Sequence, residues 1–279
     1  MIIHNLMRFE SKDEYGLLHL QNMILNIMQY IDNFCKENDI EYYIIGGTAL
    51  GAKRHGGFIP WDDDLDIAMT RENYERFCKL FREKSDKENF FFQEGLVDWP
   101  CYFSKVRLLG TFLGEQETEK NLPREKKGIF VDIFPLDNVP DNFFMQHIWY
   151  FCGKILVAHG LLKRGYLSAS IKKKILMAMT FPFFCKPLHD VVYSFVKSYN
   201  SKQTNFIGGF ALVSRFRNTI SPKSIWGSPE YIDFELTKLQ APVDVAMFLS
   251  YYFGDYMTFP PVEERGLRHM VEVDFGKYL

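Results

Sequence analysis

Leu17, Leu20, Ile24, Ile27, Ile31 and Phe34 recur at three- and four-residue steps, the period of a helix with one buried face. Ser11 with Glu14 has the spacing of a capping box, and Asn38-Asp39 marks the end of the helix. Residues 40–45, rich in Ile and Tyr, read as a buried strand that Gly46-Gly47 stops, and Thr48 opens a helical turn. Polarity then alternates from 62 to 69. Asp62, Asp64 and Asp66 fall on one side and Leu65, Ile67 and Met69 on the other, which predicts a strand with an acidic face and a core face. Thr70 suits the cap of a further helix carrying Tyr74, Phe77, Cys78 and Phe81 at helical spacing.

More strands are predicted at 90–93, 102–109 and 128–136, with a charged loop over 115–127 between the last two. The fold class is therefore mixed α/β (α+β), a mixed sheet flanked by helices. Residues 141–195 read as two or three helices, aromatic and basic, in which Lys163-Arg164, Lys172-Lys173-Lys174 and Lys186 flank apolar runs. Such helices pack on a catalytic core or lie against anionic lipid. Beyond residue 205 the chain turns to loops and short elements, and Pro260-Pro261 precedes a turn bearing Glu263, Arg265 and His269. A three-part organisation follows: a catalytic core over 1–140, a helical region facing acceptor or membrane over 141–200, and a C-terminal segment over 201–279 that completes the site.

Composition narrows the function classes. With 279 residues, 47% of them hydrophobic and 24% charged, the chain is long enough for a sizeable core. A net charge of −2 and a pI near 6.4 give no basic footprint for nucleic acid. The five cysteines, at 35, 78, 101, 152 and 185, lack metal-ligand spacing and read as reduced core residues. No run approaches the roughly 20 apolar residues of a membrane span. The opening MIIHNLMRFESKDEY has no secretory pattern, so the expected location is the cytoplasm, with association to the inner face of the cytoplasmic membrane through the helical region.

The chemistry concentrates between Gly46 and Ala68. Free N–H groups after the glycine pair suit phosphate oxygens. Clustered carboxylates are costly without a cation, and hard oxygen ligands suit Mg²⁺ or Mn²⁺. Asp132, between Val131 and Ile133, is the candidate third metal ligand; the alternative is a turn cap or a Lys or Arg partner. Lys105 and Arg107 share one strand face and suit phosphate, or solvent. Lys53 and Arg54 lie between the two grips, and Asp137 is a cap or a site residue.

The run GGTALGAKRHGGFIPWDDDLDIAM, with KVRLLGT, FVDIFPLD and FGDYMTFPP followed by RH, resembles the LicD family, phosphotransferases related to fukutin within the nucleotidyltransferase superfamily that includes DNA polymerase beta. The resemblance implies a nucleotidyltransferase-like sheet, with catalytic and metal-binding roles for Asp64, Asp66 and Asp132. It also implies phosphate or nucleotide binding by Gly46, Gly47, Thr48, Lys53, Arg54, Lys105 and Arg107. Trp61, Asp62 and His269 are substrate candidates; Trp61 offers an aromatic face to a quaternary ammonium, or simply packs the turn after Pro60. The implied reaction moves a phospho-alcohol, phosphocholine first, from a CDP-activated donor such as CDP-choline to a hydroxyl of a glycan or glycolipid. Ribitol phosphate or glycerol phosphate transfer, nucleotidyl transfer and a non-catalytic nucleotide-binding role are the alternatives.

Overall fold

The computed structural model describes residues 16–115, 122–165, 171–178, 180–212, 215–261, 263, 265 and 270–278. In chain order the elements are α1 (Leu17–Glu37), β1 (Tyr43–Ile44), α2 (Gly46–His55), β2 (Asp66–Thr70), α3 (Arg71–Lys84), β3 (Phe90–Gln93), β4 (Ser104–Leu108), β5 (Phe112–Glu115) and β6 (Phe130–Val139). Then follow α4 (Phe143–Lys163), α5 (Ile171–Ala178), α6 (Lys186–Lys197), β7 (Phe206–Gly208), α7 (Phe216–Thr219), β8 (Ile220–Pro222) and α8 (Lys223–Trp226). The C-terminal part ends with β9 (Glu230–Phe234), β10 (Thr237–Ala241), α9 (Val245–Phe253) and β11 (Met270–Asp274).

A mixed seven-stranded sheet organises the molecule, in the order β1-β2-β6-β4-β3, with β7 on β6 and β8 on β7. β2 and β6 run parallel; the other pairs are antiparallel. The expected mixed α/β core is thus present, and the C-terminal third adds strands to it. β1 is shorter than the predicted strand: Tyr43 and Ile44 pair with Ala68 and Ile67, while Ile40, Tyr42 and Ile45 are buried without continuing the ladder.

The periodic face of α1 buries Leu20, Ile24, Ile27, Ile31 and Phe34, as its spacing dictates. Its predicted capping box lies outside the described residues. α3 starts after Thr70, whose hydroxyl accepts from the Asn73 N–H at 3.4 Å. Phe34, Phe77, Phe81 and Phe92 join α1 and α3 to β3 through ring contacts of 4.8–5.9 Å. The Tyr74 hydroxyl meets Ser104 Oγ at 2.6 Å, which fixes that face of β4 under α3. Lys105, next along β4, consequently projects from the opposite face.

A buried ion pair ties α3 to the centre of the sheet. Arg71 Nε and Nη2 donate to the two oxygens of Asp137 at 2.8 Å each, and Asn200 Nδ2 donates to the same carboxylate at 2.6 Å. Asp137 is therefore a tether between α3, β6 and the chain entering β7. Removing one partner strands a buried charge, so Asp137→Ala is expected to lower unfolding stability by about 3–5 kcal/mol in urea titration. The Arg71→Leu, Asp137→Leu double variant is expected to lose less, because both charges are then gone.

Candidate active site

The site begins where β1 hands over to α2. Ile45 is the N-cap in extended backbone and offers no side-chain cap, while Gly46 takes φ +57°, a conformation that suits glycine. A Cβ on Gly47 would lie 2.6 Å from Asp62 Oδ2, and one on Gly46 3.8 Å from Asp66 Oδ2. Gly47 thus makes room for the Asp62 carboxylate, Gly46 is required by its backbone conformation, and the turn exposes N–H groups at the helix start. Thr48 Oγ1 accepts from the Asp66 N–H at 2.9 Å, and the Ile45 N–H donates to Asp66 O at 3.2 Å. These two bonds fix the helix start against the first residue of β2.

β2 begins only at Asp66, four residues later than the alternation predicts. Its partner strand accounts for this: Asp66 is level with Asp132 and the Asp132 N–H donates to Leu65 O, so residues 62–64 precede the ladder. They form a turn in which the Asp62 N–H donates to Ile59 O, and buried Gln21 on α1 donates to the carbonyls of Ile59 and Asp62 at 3.2 and 2.7 Å. Carboxylate oxygens of Asp62, Asp63 and Asp64 all lie within 4.8 Å of one another. Burial, then the charges of Asp64 and Asp63, push Asp62 up to about 8. Burial, then Asp64, Asp132 and Asp62, push Asp66 well above the usual carboxylate range, against the pull of Lys105.

Register brings the remaining groups alongside. Asp66, Asp132, Lys105 and Gln93 occupy one row across β2, β6, β4 and β3, all on the face away from α3. Lys105 Nζ lies 3.1 Å from Asp132 Oδ1 and 3.3 Å from the centroid of Phe130. Asp132 therefore stands both beside Asp66 and in an ion pair with Lys105. Mutually repelling carboxylates fit a hard divalent cation: Asp62, Asp63 and Asp64 bring oxygens within 4.8 Å of one another, and Asp66 and Asp132 stand beside them as further oxygen donors.

Residues 39–154 match the family described as LicD/FKTN/FKRP, nucleotidyltransferase domain, which spans the glycine turn, the carboxylates and β6. That stretch is a LicD-family domain. The chain is 29% identical over 264 residues, 90% of this chain and 95% of the relative, to the lipopolysaccharide cholinephosphotransferase LicD of Haemophilus influenzae. It is 27% identical over 107 residues to the ribitol 5-phosphate transferase FKRP of mouse and of human, covering 38% of this chain and 19% of each relative.

Not every basic residue expected at the site is brought to it. Arg107 is 1% exposed and donates to Gln93 Oε1 at 2.7 Å and to Gly128 O at 3.1 Å, turned into the sheet rather than toward the carboxylates. Lys53 is exposed on the last turn of α2, and Arg54 reaches the C-terminal segment. Trp61 sits 6.1 Å from His55 and 6.3 Å from Phe259, with the Arg265 guanidinium 5.4 Å from its ring centroid. His269 lies outside the described residues. Sequence reasoning missed Asp63, which strand alternation assigned to the core side, and Gln21, whose signal was a polar residue on the apolar face of a helix.

The carboxylate geometry sets a pH signature. A folded-state pKa raised above the ordinary value means that the cation-free protein loses stability as pH rises through about 8 and the Asp62 proton leaves. A bound cation takes the place of that proton. Adding Mn²⁺ is therefore expected to raise Tm more at pH 8 than at pH 6 in scanning calorimetry. Gly47→Ala, which drives a methyl into Asp62, is expected to remove most of that rise while leaving the cation-free Tm within a few degrees.

Proposed function

We propose that this chain is a Mg²⁺- or Mn²⁺-dependent phosphotransferase that moves phosphocholine from CDP-choline to a hydroxyl of a cell-surface glycan or its lipid-linked precursor. The observation that carries the reading is the placement of Asp66 level with Asp132, beside a glycine turn that opens a helix, within the matched family domain. Phosphocholine is favoured over ribitol phosphate because the relative named as a cholinephosphotransferase aligns over 90% of the chain, and the ribitol 5-phosphate transferases over 38%. Trp61 adds no separate support for a quaternary ammonium, since its ring already carries Arg265.

On this reading Asp62, Asp64, Asp66 and Asp132 would hold the metal, which when bound would supply neutralising charge for the donor diphosphate and the departing CMP. The N–H groups at the start of α2 orient phosphate oxygens, and the Thr48 link keeps that start fixed against Asp66. The acceptor oxygen forms a bond to the phosphorus bearing the alcohol as the bond from that phosphorus to the CMP oxygen breaks. CMP leaves with the electron pair, and a carboxylate of the cluster takes the hydroxyl proton.

CMP release from a panel of CDP-alcohols, with Mg²⁺ and envelope glycolipid, tests the reading. Release is expected from CDP-choline, abolished by EDTA, and lowered about 10²–10³-fold in kcat by Asp66→Asn with the fold intact. A product whose added mass equals the nucleotide would replace phosphotransfer with nucleotidyl transfer.

We also infer attachment to the inner face of the cytoplasmic membrane through the helical region. Among the described residues no helix is long and apolar enough to cross a membrane. Residues 141–200 hold eight Lys or Arg and two Asp, a net +6 in a chain whose total is −2. Ile175, Phe181 and Val191 are 57–66% exposed there, with Lys174 and Lys186 also exposed. Co-flotation with vesicles containing phosphatidylglycerol is expected, weakened by 0.5 M salt and by Ile175→Asp with Phe181→Asp. Absence of co-flotation would sink the attachment.

A further inference from the structure

We propose that Arg54 and Arg265, packed against Trp61 and Phe259, form a binding site for a phosphate or phosphodiester group of the acceptor. The assignment to the acceptor rests on the phosphotransferase reading; the anion site itself does not.

Arg54 leaves the last turn of α2, and its Nη1 donates to Tyr256 O at 3.0 Å and Thr258 O at 3.4 Å. Its guanidinium carbon is 4.7 Å from the Phe259 centroid. Arg265 Nε donates to Pro260 O at 2.9 Å, and its guanidinium carbon is 5.2 Å from the same Phe259 ring. Two cations therefore share one aromatic ring. Burial and the Arg265 charge both lower the proton affinity of Arg54, which reports the same crowding.

Neither guanidinium has a carboxylate partner among the described residues. Three other arginines do have one: Arg71 with Asp137, Arg82 with Glu94 and Arg124 with Glu272. Arg54 Nε is buried with no hydrogen-bond partner among the described residues, and the bonds that the pair does make go to carbonyls of one short segment, 256–260. Stacking on rings orients the planar forks and leaves N–H edges for a ligand, an arrangement that matches phosphate oxygens. An anion would relieve the like-charge contact that the fold now bears.

The position separates this site from the donor grip. Arg54 is eight residues along α2 from Gly46, about 12 Å of helix rise, too far for the two phosphates of one diphosphate to bridge the helix start and the arginine pair. A second phosphorylated group is the fitting ligand. Phe259 is 47% exposed, so the pair opens to solvent, where a large acceptor can approach.

Calorimetry on the full chain in EDTA, with inorganic phosphate, glycerophosphoglycerol and CMP as separate probes, decides the matter. Phosphate and the phosphodiester are expected to bind wild type, at least ten-fold more weakly to Arg265→Gln, with partial rescue by Arg265→Lys and no change in Lys105→Gln. Melting curves check each fold. Arg265→Gln is the deciding variant, because Arg54→Gln also unties the 256–258 segment. No binding of either anion, or binding lost in Lys105→Gln and kept in Arg265→Gln, would overturn the site. Equal weakening of CMP by Arg265→Gln would hand it to the donor and overturn the acceptor assignment. Anion binding needs no turnover, so failure of CMP release from every donor would remove the phosphotransferase reading and leave the site standing.

Discussion

Like charges held side by side are the constraint around which this molecule is arranged. Asp66 and Asp132 are level on adjacent parallel strands, and Asp62 and Asp64 approach from the preceding turn. Two unit charges about 4 Å apart at an effective dielectric of 20 repel by about 4 kcal/mol, so such a cluster persists only where the surrounding fold overrides it. The supports are local and specific: Thr48 takes the Asp66 N–H, Gln21 holds the 59–62 turn by its carbonyls, and Lys105 pairs with Asp132. Each fixes backbone or charge at one carboxylate. Loss of any one frees a group that repulsion then drives outward.

β6 links that cluster to the stability of the whole. Asp132 and Asp137 are five residues apart on one strand, an odd separation, so they project from opposite faces. Asp132 faces the carboxylates and Lys105; Asp137 faces α3 and receives both arms of Arg71. The charge at one face is left partly unbalanced, while the charge at the other is fully engaged. A single strand thereby carries a carboxylate of the cluster on one face and a structural one on the other.

Elements with a strong period were legible before any coordinates. The apolar steps of α1 and α3 and the aromatic run Phe90–Gln93 were read close to their observed bounds, because burial of one face decides them. The 62–69 alternation misled, since period two is necessary for a strand but a ladder also needs a neighbour, and β6 offers none before Asp66. Asp132 was read as ligand or ion-pair partner, and register gives it both neighbours. The β9–β10 hairpin went unread because its turn lacks glycine at the strained position: Glu235 holds φ +53° there, tied by its N–H to Gly56 O and by its carboxylate to the Phe58 N–H. Arg107 shares a face with Lys105 as expected, but which carbonyl its fork would find depends on a loop 21 residues away. The Arg54, Phe259 and Arg265 cluster joins residues more than 200 apart, and nothing local announces it.

The charge ledger of the centre bears on how a phosphate could enter it. Asp62, Asp63, Asp64, Asp66 and Asp132 face Lys105 as the one cation named among them in the described residues. With those carboxylates ionised the point is strongly negative, and a diphosphate would be repelled before the helix start could orient it. Divalent cations would offset that charge, so on the phosphotransferase reading the metal binds ahead of the donor. The arginine pair needs no such compensation. It sits on the far end of α2 with its positive charge intact, so an anionic acceptor is drawn to the molecule whether or not the centre is loaded. On the phosphotransferase reading, the two ends of one ten-residue helix would separate the charges of the two substrates, with the glycine turn at one end and the arginine at the other.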